Sequence, residues 1–408
     1  MRPFPPFPAS PISAAVCLSL LIASSSVQAD GMFDIKPYVA ATATYDDNVF
    51  RLTDKNEARA VLGSEAMGDT SRLLEAGLAV DWKISAQHLR LGLSASQNSY
   101  DRFGFLDNDG HDLSLAWDWN LGSHLAGRIS TSENLAMAGF NEVNNPALNE
   151  RTTTQRLYSL NWNFHPSWRL HLQRDEVQQE NGLVTFRSSD REDIAHEASM
   201  QYSSAAGNVV VLSMRQTDSE YPFRDSFATT FFGNSNQQRD IALNIVWQPS
   251  GKTRLNGRLA RVERTYKELS QRNVSALAGR LEATWLPTGK TSLAMSLVHD
   301  IYAVDDIAAT YVQSDAVNIT PTWVPTAKLT IQARASFEKR GYQGDPGFLL
   351  GATLQREDTL KTTGVTVSYM PYEKIQTQLS WQKQSRTSST AGSGYDANTL
   401  NFNIRVNF

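Results

Sequence analysis

The sequence predicts an all-β protein, a transmembrane antiparallel up-and-down β-barrel of about 18 strands. Three observations predict this class. Segments of about 10 to 14 residues alternate apolar and polar side chains along most of the chain, which is the period of a strand with two different faces. Tight proline-containing turns join these segments in pairs. The chain also ends on an alternating strand whose last residue is Phe408.

Composition excludes several other classes. The 408 residues carry a formal net charge of −4 and a single cysteine. The chain therefore lacks the basic excess of a nucleic-acid-binding protein and the cysteines of a disulfide-rich scaffold. Beyond the first 30 residues, no apolar run reaches the roughly 18 residues that a transmembrane helix needs. Neither nucleic-acid binding nor helical transport is expected.

The first segment has the features of an export signal. A positively charged start is followed by a short apolar core, 14–23, and by small residues before a cleavage site after Ala29. Cys17 lies inside this apolar core without the small residue that lipid attachment needs before it, which favours simple cleavage. The sequence thus predicts a signal peptide, 1–29, and one barrel domain, 30–408.

Five tight turns are near copies of one pattern, in which an aromatic residue ends a strand and a proline turn follows. Proline fixes φ for the turn and glycine tolerates its left-handed corner, so each pattern indicates a hairpin reversal. Propeller blades have similar spacing, but a blade needs four short strands and each unit here holds two long ones. The aromatic residues, expected in a girdle at the lipid headgroups, are Trp162, Trp247, Trp285, Trp323 and Tyr369.

Eighteen segments have the alternating pattern, and 16 strands result if the first segment pairs differently. Tight turns alternate with longer polar loops. In bacterial outer-membrane barrels short turns face the periplasm and long loops face outward, so both termini are expected in the periplasm. The predicted strands are 37–45, 71–84, 88–101, 112–121, 124–135, 152–164, 169–180, 193–204, 208–221, 238–248, 253–266, 273–286, 291–303, 311–324, 329–342, 358–370, 374–386 and 397–408.

Parity within each strand predicts which side chains meet lipid and which line a wet bore. Ile241, Leu243 and Trp247 share one face, whereas charged and amide side chains occupy the other face of several strands. A soluble sandwich with a Trp-rich core is the alternative, but it would not need so many long hairpins. Mixed arginines, carboxylates and amides suit hydroxyl-rich or anionic solutes. The predicted lumen-facing, solute-contacting residues are Arg90, Arg169, Gln173, Arg254, Arg258, Arg280, Glu282, Gln332, Arg334, Glu338, Arg340, Gln376 and Gln378.

The sequence predicts no catalytic residues, no metal site and no cofactor. Seven His residues are scattered among different segments without metal-binding spacing. His299 and Asp300 near one loop suit a rim-active lipid hydrolase only weakly, because no nucleophile can be paired with them. Asp46-Asp47-Asn48 offers oxygens to Ca²⁺, but three oxygens make half a site, and a polar turn is favoured.

The C-terminal strand alternates to its last residue. An edge strand so exposed invites aggregation in a soluble protein, whereas in a barrel it closes against the first strand. Its ending resembles the terminal signal by which the barrel assembly machinery recognises outer-membrane proteins. The residues of this predicted assembly signal are Phe402, Ile404, Val406 and Phe408.

A stretch near the N-terminus carries a family resemblance. It consists of Tyr45, Asp46, Asp47, Asn48, Val49, Phe50 and Arg51. Together with the repeated proline turns and the terminal Phe408, it resembles the EpsL-type exopolysaccharide-biosynthesis outer-membrane barrels, related to a broader β-barrel porin group. The resemblance implies synthesis or export of a secreted polysaccharide in Gram-negative bacteria, whose operons often encode an exosortase for PEP-CTERM proteins. It implies no catalytic residues.

The expected function is therefore that of a passive pore or outer-membrane component for the secreted glycan, which the lumen-facing residues contact. The expected partners are outer-membrane lipid, the barrel assembly machinery, the exopolysaccharide and other export proteins. A general diffusion porin for small solutes is the first alternative. A rim-active lipid hydrolase is the second. An anchor whose bore is plugged by loops 46–70 and 136–151 is the third.

Overall fold

The computed structural model describes residues 33–141, 145–349 and 355–408, so the expected signal peptide and Cys17 lie outside the described residues.

The chain forms one antiparallel sheet in which each strand pairs with its sequence neighbours and β1 also pairs with β18. The sheet is thus a closed up-and-down barrel of 18 strands, as predicted; the 16-strand alternative is wrong because the first segment forms its own strand. The strands are β1 (Phe33–Asp46), β2 (Asp69–Ile84), β3 (Gln87–Tyr100), β4 (Asn108–Leu121), β5 (Leu125–Met137), β6 (Glu150–His165), β7 (Trp168–Asn181), β8 (Arg191–Ser203), β9 (Val209–Glu220), β10 (Ser235–Ser250), β11 (Thr253–Thr265), β12 (Val274–Thr288), β13 (Thr291–Ala303), β14 (Tyr311–Thr326), β15 (Leu329–Gln343), β16 (Glu357–Tyr372), β17 (Ile375–Ser388) and β18 (Tyr395–Asn407).

Short turns join the strands at one end of the barrel, the turn end, and longer segments join them at the other, the loop end. Only two residues connect β2 to β3 at the turn end. Gly122 (φ 62°) and Gly207 (φ 79°) adopt left-handed conformations in two other turns, where a side chain would be strained. Phe33 and Phe408 both lie at the turn end. The predicted alternation of tight turns and longer loops is confirmed.

The C-terminal strand closes the barrel against the first strand. Nine pairs, from Tyr38 opposite Asn407 to Asp46 opposite Thr399, form the β1–β18 ladder. The amide of Phe408 also donates to the carbonyl of Pro37 at 2.9 Å. No edge of the sheet is left open along this seam, which removes the aggregation hazard of an alternating terminal strand.

The strands are tilted, as barrel closure requires. A row of directly paired residues begins near the turn end of β14 and ends near the loop end of β2. Because the row moves from the turn end to the loop end over six strand pairs, the strands are inclined to the barrel axis. The row consists of Trp323, Ile331, Val367, Leu379, Phe402, Ala43 and Arg72.

The outer face of the barrel carries an apolar band between an aromatic girdle and a charged row. Leu243 and Leu281 are exposed by 41% and 49%, as expected of side chains that meet lipid. The five predicted girdle residues end their strands at the turn end with exposures between 46% and 51%. Nearer the loop end, the outer face instead carries Arg72, Arg156, Arg239, Arg261, Lys339, Lys361 and Lys383.

Short helices occur only in the loops among the described residues. Helix α1 (Lys55–Leu62) lies between β1 and β2, and α2 (Ser226–Phe232) lies between β9 and β10. Asp54 caps α1 by accepting the amides of Asn56 and Glu57 at 2.7 and 2.9 Å, and these bonds lower the pKa of its carboxyl group. No helix in the described ranges is long and apolar enough to cross a membrane.

Two groups of loops pack together over the loop end. In the first, Phe50, Phe103 and Phe140 from three different loops are buried, with ring centroids 4.8 and 4.9 Å apart around Phe50. In the second, Arg272 is fully buried and bridges neighbouring loops. Its guanidinium donates to the carbonyls of Phe231, Val304, Asp306 and Ala309 at 2.7 to 3.3 Å. The sequence patterns predicted neither group.

Candidate functional site

The inner face of the barrel is identified by contacts that cross the interior. Arg386 of β17 donates to the carbonyl of Asn141 at 3.1 Å, and Asn141 follows β5. Because β17 and β5 are six strands apart around the ring, this contact is possible only through the interior of the barrel. Directly paired residues in a sheet share a face. The register therefore assigns every strand residue to the inner or outer face, starting from Arg386.

All 13 predicted lumen-facing residues belong to the inner face by this register. They are distributed around the ring rather than gathered in one cluster. Arg258 and Arg280 stand directly opposite each other on β11 and β12. Arg340 and Glu338 form an ion pair at 2.7 Å on β15. Most of the remaining residues lie on strands that are not neighbours, so the structure places them along a wall and not in a single pocket.

Several of these residues are held by neighbours on the inner face. Arg90 pairs with Asp118, which also accepts the Nε of Arg128 at 2.5 Å. Gln173 donates to Asp175 at 2.9 Å, and Arg215 donates to the same carboxylate at 2.7 Å. Such bonds fix long side chains in place and leave the inner face polar but largely neutralised along these strands.

One group of inner-face carboxylates lies on two strands, β2 and β4. The acidic wall consists of Asp69, Glu75, Asp81, Asp112 and Asp118 on β2 and β4. Each of these carboxylates has a donor: Tyr38 for Glu75, His88 for Asp81 and Asn134 for Asp112, for example. The charge of the acidic wall is therefore partly compensated within the wall itself.

A group of four inner-face arginines lies on the opposite side of the ring. The basic wall consists of Arg254, Arg258, Arg264 and Arg280 on β11 and β12. β2 and β11 are nine strands apart in the ring of 18, so the two walls face each other across the bore. Three inner-face carboxylates lie beside the basic wall: Glu282, whose Oε1 is 3.6 Å from Arg280, Asp240 on β10 and Asp300 on β13. Opposed groups of this kind produce an electric field across the bore, which the low-dielectric walls of the barrel focus.

The family-like stretch has a structural role at the loop end of the barrel seam. Asp46 accepts both terminal nitrogens of Arg51 at 2.8 Å, and Asp47 accepts the backbone and side-chain amides of Asn398. Asn48 is buried and bonds the backbone of Leu52 in both directions. The remaining residues of the stretch lie outward (Tyr45) or pack against the first loop group (Val49 and Phe50).

These bonds bear on the two interpretations of Asp46-Asp47-Asn48, half of a Ca²⁺ site or a polar turn. The Asp46 and Asp47 carboxylates are occupied by Arg51 and Asn398, as expected of a polar turn. Arg51 has a left-handed backbone (φ 58°), which the bonds around it hold in place. In the described part of the chain, no group of three acidic, His or Cys side chains is placed to bind a metal ion.

The C-terminal residues take the positions that their alternation predicts. Phe402, Ile404 and Phe408 are 47%, 36% and 43% exposed on the outer face. Val406 shares their parity. Between them, Asn401 and Asn403 donate to Thr44 and Thr42 of β1 at 2.7 and 2.8 Å on the inner face. The structure thus separates an apolar outer row from an inner row that helps to close the seam.

His299 and Asp300, the residues considered for a rim-active hydrolase, lie on opposite faces of the sheet. His299 lies on the outer face, where its Nδ1 is 2.6 Å from Asp315. Asp300 is the next residue along β13 and points to the inner face. The two side chains therefore do not act on one substrate.

Comparison with known proteins bears on the fold. No family model matches the sequence, and no curated protein matches it. Among solved structures, OccK2 (OpdF) from Pseudomonas aeruginosa is similar over 92% of this chain and 98% of its own, with a TM-score of 0.54 and 11% identity. The structure of OccK2 in complex with glucuronate has a TM-score of 0.53 and 12% identity, again over 92% of this chain and 98% of its own. The siderophore receptor PirA from Pseudomonas aeruginosa has a TM-score of 0.47 and 9% identity, over 92% of this chain and 80% of its own. At these identities the likeness shows the fold alone: the chain has the closed β-barrel fold of these outer-membrane proteins.

Proposed function

We propose that this protein is a passive channel of the outer membrane, with its turn end in the periplasm and its loop end outside. The observation that supports this function best is the inner face, where charged and amide side chains continue along the strands between the two ends. A packed barrel core would need apolar side chains in those positions. A polar bore instead lowers the barrier for hydrated solutes, and its lining groups set selectivity.

We further propose that the cargo is a secreted polysaccharide. Two observations support this proposal: the resemblance of residues 45–51 to exopolysaccharide-associated barrels, and the many amide and arginine donors on the inner face. Weak hydrogen bonds from Gln332, Gln376 and Gln378, for example, suit a chain of hydroxyl groups that must bind and leave repeatedly. The barrel supplies no energy source, so the glycan moves down its own gradient or is driven by a partner.

An in-frame deletion tests the polysaccharide role. Polysaccharide is quantified separately in the medium, on the cell surface and in the periplasm, with a complemented strain as the control. We expect secreted glycan to fall and periplasmic glycan to rise in the deletion strain. Three fractions that match the parent strain would contradict the polysaccharide role while leaving the channel function intact.

A general diffusion porin for small solutes is the second candidate function. It is favoured by the contact of Asn141 with Arg386, because this contact carries the loop after β5 through the interior at the loop end. A loop in that position narrows the opening. Swelling of liposomes that contain the protein separates the candidates: a sharp cut-off at the size of mono- or disaccharides favours the small-solute porin, whereas passage of longer oligosaccharides favours the glycan channel.

We propose no enzymatic role. The His299 and Asp300 side chains point to opposite faces of the wall. A nucleophile with an orienting base is the minimum requirement for a hydrolase of this kind.

A further inference from the structure

Arg258 and Arg280 form an unusual pair on the inner face. They stand directly opposite each other on neighbouring strands, near the middle of β11 and β12. Side chains so paired have Cβ atoms about 4.5 to 5.5 Å apart, and like charges in this arrangement repel. Both side chains are exposed to the bore. The pair is therefore unfavourable for the barrel alone and becomes favourable when an anion lies between the two guanidinium groups.

The carboxylates of the chain neutralise this pair only in part. Within the described residues Arg258 has no ion pair and no hydrogen bond, and the nearest acidic contact of Arg280 is Glu282 at 3.6 Å. This differs from the acidic wall, where the Asp118 carboxylate is already shared by two arginines. Arg258, which has no ion pair, and Arg280, which has one long ion pair, lie at one height of the bore, and together they can receive a carboxylate or phosphate group.

A second, independent observation places a ligand-sized space next to the pair. Arg258 and Arg280 line a cavity of about 670 Å³ in the wall, which is the size of small-molecule sites. Arg264 lines the same cavity. It is 5% exposed, its Nε and Nη2 donate to Gln238, and its Nη1 is buried without a partner. A buried donor without a partner in the chain is costly, so this cavity favours a ligand that accepts a hydrogen bond.

The remaining lining narrows the chemistry of the ligand. Hydroxyl and amide groups of Thr217, Ser219, Asn236, Gln238 and Tyr302 line the cavity with four arginines. Three carboxylates line it as well, and each is already bonded within the chain: Asp193 to Arg191 at 2.9 Å, Asp240 to Gln238 at 3.1 Å and Asp300 to the amide of Ile301 at 2.8 Å. Donors and acceptors of this kind bind sugar hydroxyls, while the arginines bind an acid group. We propose that this cavity is a binding site for the carboxylate of an acidic sugar, held between Arg258 and Arg280. The inference rests on the proposed channel function, because it names the solute that the bore selects.

The test uses the purified full-length barrel and two double variants. Arg258→Gln with Arg280→Gln removes the site and two positive charges from the inner face. Arg239→Gln with Arg261→Gln is the matched control, since it removes two positive charges from the outer face of β10 and β11. Heat-modifiable migration on gels shows whether each variant is a folded barrel. The probes are galacturonate, neutral galactose and trigalacturonate.

Two measurements keep the site and the channel apart. Block of the single-channel current reports binding in the open bore, and calorimetric titration of the detergent-solubilised barrel reports binding without conduction. We expect galacturonate to bind and block at least about tenfold better than galactose, and the Arg258/Arg280 variant to lose that preference while the control keeps it. Trigalacturonate distinguishes the two forms in which the acidic sugar could reach the site. Stronger block by trigalacturonate than by galacturonate indicates an acidic glycan chain, and weaker block indicates a free acidic sugar.

The outcomes are separable. Equal binding of galacturonate by the wild type and the Arg258/Arg280 variant overturns the inference, even if the barrel conducts. Equal binding of galactose and galacturonate overturns it as well. Absence of conductance with galacturonate binding that is lost in the Arg258/Arg280 variant overturns the channel function and supports the site.

Discussion

Asp358 shows how a single buried charge shapes the wall. Its side chain is fully buried, and its carboxylate accepts Arg356 at 2.9 Å and Arg386 at 2.6 Å. Arg386 also reaches Asn141, so the same group connects β16 to the loop after β5. The sequence patterns singled out neither Asp358 nor Arg386, because their pairing depends on the register between strands.

Replacing Asp358 by Ala should destabilise the barrel by about 3 to 5 kcal/mol, because Arg386 is left buried without its counter-charge. Urea unfolding in lipid vesicles, followed by tryptophan fluorescence, measures the change. Asp396→Ala is the matched control, since Asp396 is exposed on the outer face and should change stability by less than about 0.5 kcal/mol. Similar losses in both variants would contradict the importance of the buried pair.

Strands were predictable as elements because their signal is local. A period of two residues needs only neighbours in sequence, and for example Trp285 at the end of a strand marks a turn without knowledge of the rest. The loop groups were not predictable. Phe50, Phe103 and Phe140 are brought together by the barrel itself, and they lie too far apart in sequence to form a pattern.

The faces of β10 give a direct test of the assigned register. Leu243 meets lipid and Asn244 meets the bore. Leu243→Arg should cost about 2 to 4 kcal/mol, because a charge near the bilayer midplane is unfavourable, whereas Asn244→Arg should cost close to nothing. Equilibrium folding into vesicles measures both. A larger loss for Asn244→Arg would show that the two faces are reversed.

The first loop group should hold the long loop before β2 against proteases. Phe50→Ala with Phe140→Ala removes two buried rings, and each such change costs about 3 to 5 kcal/mol. Trypsin should then cleave at Lys55 or Arg59 of α1 at least about tenfold faster. The control is Phe223→Ala with Phe227→Ala, two exposed loop rings. Equal cleavage rates in both double variants would contradict a packed loop group.

At the scale of the whole molecule, the distribution of charge matters more than its sum. The net charge of −4 by itself indicates no strong preference for cations or anions. The barrel nevertheless places Asp69, Glu75 and Asp81 nine strands away from Arg254 and Arg258. The sequence reveals which residues are inward, but opposition across the bore depends on strand number and closure. Arg258 has no ion pair among the described residues, so we expect the basic wall to offer a solute the least compensated charge.

We propose that this barrel is an open, anion-preferring channel, and single-channel recording of the purified protein in planar bilayers is the decisive test. A KCl gradient across the bilayer gives the ion preference from the reversal potential. The expected result is stepwise current with a reversal potential on the chloride side of zero, which shifts toward potassium when Arg258 and Arg280 are both changed to Gln. Absence of current steps in a preparation that migrates as a folded barrel would contradict an open channel, and a potassium preference in the wild type would contradict the dominance of the basic wall.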